Sequence, residues 1–217
     1  MQEHTLTTAR TARYFTLGVP ARATDLWFVC HGYGQLAARF LERFGPLETP
    51  QRCFVAPEGL SRFYLSESPV ERRVGASWMT REDRLAEIGD YVRYLDTVYA
   101  DVLQGLERRR VAVCIFGFSQ GTATACRWLA QGTERAERLI LWGGEIPPDL
   151  DLHAARDRFA ALDLTLVAGG RDQYITSKIL DREKARLEAH GIPFRVVGFD
   201  GGHELDEETL RRVTARG

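Results

Sequence analysis

The fold is decided by the stretch Val111-Ala112-Val113-Cys114-Ile115-Phe116-Gly117-Phe118-Ser119-Gln120-Gly121, followed by Thr122-Ala123-Thr124-Ala125-Cys126-Arg127-Trp128-Leu129. An apolar run typical of a buried strand enters a Gly-x-Ser-x-Gly turn, and small residues then lead into a helical pattern. Side chains at Gly117 and Gly121 would crowd the close approach of strand and helix. The pattern therefore predicts a sharp turn that holds the Ser119 hydroxyl clear of a sheet, at a helix N-terminus where the dipole favours negative charge.

Composition limits what kind of protein this is. The chain has 217 residues, with 29 basic and 30 acidic ones and a net charge of −1. The length and a hydrophobic share of 44% predict one domain, residues 1–217, with a substantial core. The balanced charge favours neither nucleic acid nor an anionic membrane as a partner. No signal peptide is visible, and no apolar run of about 18 residues could span a membrane. Four cysteines without a Cys-x-x-Cys pair are expected to be buried free thiols, which indicates the cytoplasm.

Apolar runs alternate with helical patterns along the chain. The predicted strands are residues 13–17, 25–30, 52–56, 111–115, 138–142, 164–168 and 194–199. The predicted helices are residues 36–44, a long one capped by Thr80 with its core face from Leu85 to Leu106, the one after Ser119, and residues 152–162, 174–190 and 205–213. This alternation predicts an α/β fold with a mostly parallel central sheet and helices on both faces. Reactive groups in such sheets collect beyond the carboxyl ends of the strands.

A serine hydroxyl needs a base to take its proton and a third group to hold that base. Five histidines compete for this role, and chains with this turn carry the base last, after the serine and the acid. His31 precedes the serine, which is the wrong order. His4 lies in the polar tail, His153 lies in or before a helix, and His190 lies at a helix C-terminus. His203 in Gly-Gly-His, after the last strand, is therefore the predicted base.

The acid is expected after the penultimate strand. Asp172 follows Gly169-Gly170-Arg171 at that position, and its alternative role is to cap the helix from Tyr174. Asp163 begins the same strand, at the opposite edge of the sheet. Asp200, three residues before His203, is the fallback group to orient the imidazole.

An acyl-transfer intermediate carries an oxyanion that needs preorganised donors. The backbone N–H of Gln120, the residue after the nucleophile, is one expected donor. The second is expected from the loop after an early strand, where we choose the N–H of Tyr33, with Gly32 or Gly34 as alternatives. His31 is expected to brace that loop through hydrogen bonds.

Residues 58–79 show no clear periodicity and are expected to form a functional loop. Aromatic and large apolar side chains in and beyond it are candidates for substrate binding: Phe63, Tyr64, Trp78, Met79 and Trp142. The alternative is that they only pack the loop onto the core. Whether the loop moves as a flap stays open.

No metal site or cofactor is predicted. His203-Glu204 and Asp206 do not have metal-ligand spacing, and the glycine-rich turns do not match phosphate-binding patterns. The expected partner is a small-molecule ester substrate, and a homodimer stays open.

Four segments together resemble a known family: His31-Gly32-Tyr33-Gly34, Gly117-Phe118-Ser119-Gln120-Gly121, Gly170-Arg171-Asp172 and Gly202-His203. They are similar to the phospholipase/carboxylesterase family of α/β-hydrolases, which includes acyl-protein thioesterases and small bacterial carboxylesterases. The resemblance implies the α/β-hydrolase fold, Ser119, Asp172 and His203 as a catalytic triad, and Tyr33 and Gln120 as oxyanion donors.

One departure favours a generic carboxylesterase over a lipid-protein thioesterase. Eukaryotic-type thioesterases of the family carry Trp-Phe-Asp before the long helix, whereas here Met79 and Thr80 follow Trp78. The expected reaction is hydrolysis of esters with small or medium acyl chains through an acyl-serine. An acyl-protein thioesterase or lysophospholipase with the same triad stays open, as does a peptidase or transacylase. An alternative of another class is a catalytically inactive binding module on a hydrolase fold.

Overall fold

The structure, a computed structural model, describes residues 1–66, 70 and 72–215. Its strands are β1 (Tyr14–Leu17), β2 (Asp25–Cys30), β3 (Arg52–Pro57), β4 (Ser61–Tyr64), β5 (Val74–Ser77), β6 (Ala112–Phe118), β7 (Arg138–Trp142), β8 (Asp163–Gly169) and β9 (Arg195–Phe199). Within the described residues the main sheet has the order β1-β3-β2-β6-β7-β8-β9, and β1 alone is antiparallel to its neighbour. The predicted, mostly parallel sheet is therefore confirmed.

Helices cover both faces of this sheet. They are α1 (Ala37–Leu41), α2 (Arg84–Leu103), α3 (Gln120–Gln131), α4 (Arg156–Ala160), α5 (Ser177–Ala189) and α6 (Glu207–Thr214). Alternate residues of β2 enter two different cores: Leu26 and Phe28 pack with α2 to α5, whereas Trp27 and Val29 pack with α1 and α6. A strand covered on both faces has no polar side, which explains the continuous apolar runs in the sequence.

The four cysteines are all buried and free, as predicted. Burial raises the pKa of the Cys30 thiol to about 12, so this thiol is neutral at physiological pH. No helix in the described part of the chain combines the length and the apolarity that a membrane crossing requires.

The expectation of an irregular loop over residues 58–79 is wrong in part. Strands β4 and β5 form a separate antiparallel hairpin that pairs Ser61 with Ser77 and Tyr64 with Val74. Residues 67–69 and 71 of that loop lie outside the described residues. Each strand has four residues, which is too short to show a period by itself, and pairing with the partner strand makes it a strand.

The start of the long helix also differs from the prediction. Asp83 has a φ of 44°, a left-handed conformation that a right-handed helix starting at Thr80 could not pass through. The helix α2 therefore begins at Arg84. The Thr80 hydroxyl instead donates to the Glu87 carboxylate at 3.1 Å. Leu85, assigned to the core face, is 72% exposed, and Leu106 lies beyond the end of α2.

Three other predicted helices are shorter than expected. Residues 152–162 and 174–190 contain only α4 and α5, and residues 36–44 contain α1 followed by a 3-10 turn at Glu42–Leu47. Pro46 lies inside this turn, so Gly45 does not end the segment. Turns flank each of these helices, and the spacing of apolar residues alone does not distinguish a turn from the adjoining helix.

Candidate active site

Ser119 occupies the turn between β6 and α3. Its φ of 53° and ψ of −118° are strained for a residue with a Cβ, at a cost of about 1–3 kcal/mol, and such strain clusters at functional sites. The close approach needs glycine, because a Cβ on Gly121 would lie 2.1 Å from the Cys30 carbonyl oxygen and one on Gly117 would lie 2.4 Å from the Gly121 oxygen. The Ser119 N–H donates to the Trp142 carbonyl at 2.9 Å, which ties the turn to β7.

The structure brings the three predicted side chains together at the carboxyl edge of the sheet. Nε2 of His203 lies 2.9 Å from Oγ of Ser119, and Nδ1 of His203 lies 2.8 Å from Oδ2 of Asp172. The imidazole is held between the rings of Phe118 and Tyr174, with centroid distances of 5.1 and 4.7 Å. The arrangement can pass a proton from the hydroxyl to the imidazole while the carboxylate holds the ring.

Asp172 is held by backbone donors as well as by the histidine. Its Oδ1 accepts from the N–H groups of Tyr174 at 2.8 Å and Ile175 at 3.0 Å, in a turn that precedes α5 rather than as its N-cap. Burial by itself would raise the pKa of the Asp172 carboxyl. The hydrogen bonds from His203, Ile175 and Tyr174 outweigh burial and hold that pKa below its usual value, so the carboxylate is charged at neutral pH.

Backbone bonding in the loop after β2 selects one donor from the three candidates. The Gly32 N–H donates to Oε1 of Gln35 at 2.8 Å, and the Gly34 N–H donates to the Ala76 carbonyl at 2.9 Å. The Tyr33 N–H has no protein acceptor within the described residues, nor does the N–H of Gln120 at the start of α3. These two N–H groups, the predicted pair, are therefore available to donate to a bound group.

Two side chains brace this region, and the sequence indicated only one of them. Nε2 of His31 accepts from the Gly59 N–H at 2.9 Å and its Nδ1 lies 2.8 Å from the Gly32 carbonyl, in line with the expected bracing role. The Gln120 side chain, for which no role was predicted, accepts from the Trp78 N–H at 3.1 Å and donates to the Met79 carbonyl at 2.8 Å. It therefore holds the end of the hairpin against the nucleophile turn.

A cavity of about 470 Å³ opens beside Ser119 and His203. Of the five predicted substrate-binding residues, the structure places only Met79 on its wall. Phe63 packs against the Tyr33 ring at 5.1 Å, and Tyr64 is exposed at 62% on the hairpin.

The two predicted tryptophans are buried away from this cavity, unlike the expectation. Nε1 of Trp78 donates to the His31 carbonyl at 2.8 Å, and Nε1 of Trp142 donates to the Glu204 carbonyl at 2.8 Å. Trp142 packs under the sheet with Phe116 and Phe199, because its side chain alternates to the face opposite α3. Both indoles are core residues.

The competing acids lie elsewhere. Asp200 is 87% exposed at its side chain and forms an ion pair with Arg171, so it does not contact His203. Asp163 pairs with Arg138 and Arg195 at the amino edge of the sheet.

The other histidines lie away from Ser119 as well. His4 and His153 are exposed, and Nδ1 of His190 lies 2.7 Å from the Arg186 carbonyl at the end of α5.

Two residues of the site were missed from the sequence. Gly143, with a φ of 58°, leaves room for the base, since a Cβ there would lie 3.3 Å from the His203 ring. Arg127, on α3, is 5% exposed and lines the cavity. A signal was present, because this arginine interrupts a run of small and apolar residues.

The family model described as Phospholipase/Carboxylesterase matches residues 20–215. No curated protein matches the chain. Similar solved structures include acyl-protein thioesterase 2 from Zea mays, at 17% identity and a TM-score of 0.70, covering 94% of this chain and 96% of that one. The esterase PE8 has 23% identity, a TM-score of 0.69 and coverages of 94% and 97%. A phospholipase/carboxylesterase from Dyadobacter fermentans DSM 18053 has 17% identity, a TM-score of 0.66 and coverages of 96% and 98%. These likenesses show the α/β-hydrolase fold.

Proposed function

This chain belongs to the phospholipase/carboxylesterase family of hydrolases, and from that premise we propose that it is a serine carboxylesterase acting through an acyl-serine intermediate. One observation carries the proposal: an unbroken chain of hydrogen bonds runs from Asp172 through His203 to Ser119. The hydroxyl stands on a strained turn at a helix N-terminus, with an open cavity beside it. An inactive binding module would need neither the strain nor the aligned base.

In the proposed reaction, His203 takes the proton of Ser119 as the hydroxyl attacks the ester carbonyl carbon. The N–H groups of Tyr33 and Gln120 donate to the oxyanion of the tetrahedral intermediate. His203 then gives the proton to the leaving alcohol, and Asp172 stabilises the imidazolium in between. Water repeats these steps on the acyl-serine to release the acid. The side chains supply nucleophile, base and donors, so the mechanism requires no cofactor and no metal.

The cavity volume supports substrates of small or medium size. About 470 Å³ falls in the range of small-molecule sites and is enough for a short acyl chain. A small-molecule ester is therefore the proposed substrate class. Comparing short 4-nitrophenyl esters with acyl-CoA and S-acyl peptides separates this proposal from the thioesterase alternative.

The experiment that tests the proposal is labelling and turnover of the Ser119→Ala variant. The wild-type protein should hydrolyse 4-nitrophenyl butyrate and bind a fluorophosphonate at Ser119, located by mass spectrometry. Ser119→Ala should lose the label and several orders of magnitude in rate. Ser61→Ala, which removes a hydroxyl of the hairpin that bonds Glu87, is the matched control and should keep both. Near-full turnover by Ser119→Ala would refute the mechanism.

A further inference from the structure

A buried cation faces the cavity beside the nucleophile. Arg127 lies on α3 with its side chain 6% exposed, on the same helical face as Gln120 and Thr124, which also line the cavity. A cation is costly to bury unless it has strong partners. The proposed ester hydrolysis does not use this charge, so its presence needs another explanation.

The guanidinium has fewer protein acceptors than donors. Nη2 of Arg127 donates to Oδ1 of Asp149 at 2.9 Å, and Nη1 meets only the Met79 sulfur at 3.4 Å, which is a weak acceptor. A guanidinium carries five N–H donors, and within the described residues one oxygen accepts from this one. The hydroxyl of Tyr91 lies near the same guanidinium and interacts with it electrostatically, but it makes no hydrogen bond of normal geometry within the described residues. Buried donors without a full set of protein acceptors can donate hydrogen bonds to an acceptor group of a ligand.

The carboxylates near Arg127 are shared with other cations. Asp149 is shared, because its other oxygen accepts from Arg84 at 2.9 Å, so one carboxylate faces two cations. Glu145, on the cavity wall, forms an ion pair with Arg182. Asp149 is therefore not committed to Arg127 alone and Glu145 is engaged by another cation, so the charge of Arg127 is only partly compensated and favours an anion beside it.

The lining residues indicate which part of an ester would occupy this cavity. It contacts Ser119, which carries the acyl group in the proposed intermediate. A second groove of about 770 Å³ contacts His203 but not Ser119, and it extends along the loop of Gly34. His203 lines the cavity as well, so only the contact with Ser119 separates the two sites. Because the acyl group stays bonded to Ser119 after the alcohol leaves, we assign the acyl chain to the cavity and the leaving alcohol to the groove.

Resting on the proposed esterase function, we propose that Arg127 selects esters whose acyl chain ends in a carboxylate. The ligand carboxylate would accept from Arg127 in place of the thioether contact, while Asp149 keeps its own bond. Charged hydrogen bonds of this kind are the strong ones in proteins. The substrate class is therefore the monoester of an aliphatic dicarboxylic acid.

The geometry of α3 sets an upper limit on the length of such an acyl chain. Arg127 lies seven residues beyond Gln120, which is about 10.5 Å along a helix axis, and its side chain leans back toward the N-terminus. An adipoyl chain has five carbon–carbon bonds of about 1.5 Å each and spans about 6 Å. With a hydrogen bond of about 3 Å added, the total of about 9 Å lies within this distance, and the backward lean of the Arg127 side chain makes it an upper limit.

The test compares two esters of equal length that differ in charge. Monomethyl adipate carries the carboxylate, and the methyl ester of adipamic acid carries a neutral amide in its place. Titration of released acid at neutral pH gives kcat/KM for both. Wild-type protein should prefer the charged ester by about tenfold, the usual effect of one charge-assisted hydrogen bond.

Variants that should change the ratio of the two kcat/KM values in opposite directions separate recognition of the carboxylate from a structural role of Arg127. Arg127→Met should reduce the ratio of the two kcat/KM values to about one or below, and Arg127→Lys should retain part of it. Asp149→Asn should raise the ratio, because the competing carboxylate is gone. A merely structural role for the pair would lower both activities together. Arg195→Met, which breaks an Arg–Asp163 pair at the opposite edge of the sheet, is the matched control and should leave the ratio unchanged.

The outcomes separate failure of this proposal from failure of the esterase assignment. If the wild type hydrolyses both esters equally, or if Asp149→Asn does not raise the ratio, selection by Arg127 is wrong while the esterase function stands. A preference for carboxymethyl hexanoate, whose charge is on the alcohol, over monomethyl adipate would place the anion in the groove and overturn the acyl assignment. If no ester is hydrolysed and fluorophosphonate does not label Ser119, the proposed function itself fails. Should Arg127→Met not fold, the wild-type ratio and Asp149→Asn still decide.

Discussion

Replacing Asp172 by asparagine should remove most activity while leaving the fold intact, because the structure fixes how the new amide must sit. Oδ1 of Asp172 accepts from two backbone N–H groups, at 2.8 and 3.0 Å, and Oδ2 accepts from His203 at 2.8 Å. An amide has one oxygen and one NH₂ group. If the NH₂ faced the two backbone donors, both would lose their acceptor, so the NH₂ must face the imidazole.

That orientation forces the imidazole into the unproductive tautomer. Nδ1 of His203 must then accept from the amide, so the proton sits on Nε2, where it faces Oγ of Ser119. An imidazole protonated at Nε2 cannot take the proton of the hydroxyl. We expect Asp172→Asn to lower kcat/KM by about 10⁴-fold. This corresponds to about 5 kcal/mol of transition-state stabilisation.

The assay is hydrolysis of 4-nitrophenyl butyrate, with the melting temperature measured on the same preparation. Asp200→Asn is the control, since its exposed carboxylate contacts Arg171 and not the imidazole, and it should stay within about twofold of wild type. If folded Asp172→Asn keeps activity within about tenfold of wild type, the tautomer reasoning is refuted.

Three further predictions concern packing, pH and the cavity wall. Gly121→Ala places a Cβ 2.1 Å from the Cys30 oxygen, so the free energy of unfolding in urea should fall by about 3 kcal/mol or more; an unchanged midpoint would contradict this. Burial lowers the pKa of His31 to about 4, below the unfolded value of about 6.5, so its contribution to stability is present above pH 6.5. As the pH falls toward 4, the free energy of unfolding should decrease by about 3 kcal/mol from this group. Urea titrations at several pH values should show that His31→Gln makes the free energy of unfolding less dependent on pH. Trp78→Ala should cost about 3–5 kcal/mol of stability, because the indole is buried and bonded. Met79→Ala should instead shift the acyl-chain preference measured with a 4-nitrophenyl ester series. An unchanged melting temperature for Trp78→Ala would contradict the assignment of Trp78 to the core and of Met79 to the cavity wall.

Local sequence was enough to predict the sheet and the three polar side chains at its edge. The strand that ends at Phe118 and the Gly-x-Ser-x-Gly turn specify each other, because only glycine fits the close contacts at Gly117 and Gly121. Asp172 and His203 were found by position, since each follows a strand in a parallel sheet and such ends meet at one edge. These inferences need only neighbours along the chain and one rule of topology.

The contacts between residues of different elements were decided by the tertiary structure alone. Ser119 and His203 are 84 residues apart, and their contact depends on the strand order β6-β7-β8-β9, which no local pattern encodes. Periodicity also does not tell on which face a tryptophan lies, so Trp142 was expected at the substrate and is in the core. Arg127 shows the same limit, because a helical wheel marks it as polar but only packing makes it the wall of a cavity. The sequence by itself determined which chemistry is available and at which strand ends, since those depend on short-range sterics. The assembled molecule alone decided which side chains meet, because burial and hydrogen-bond partners come from residues distant along the chain.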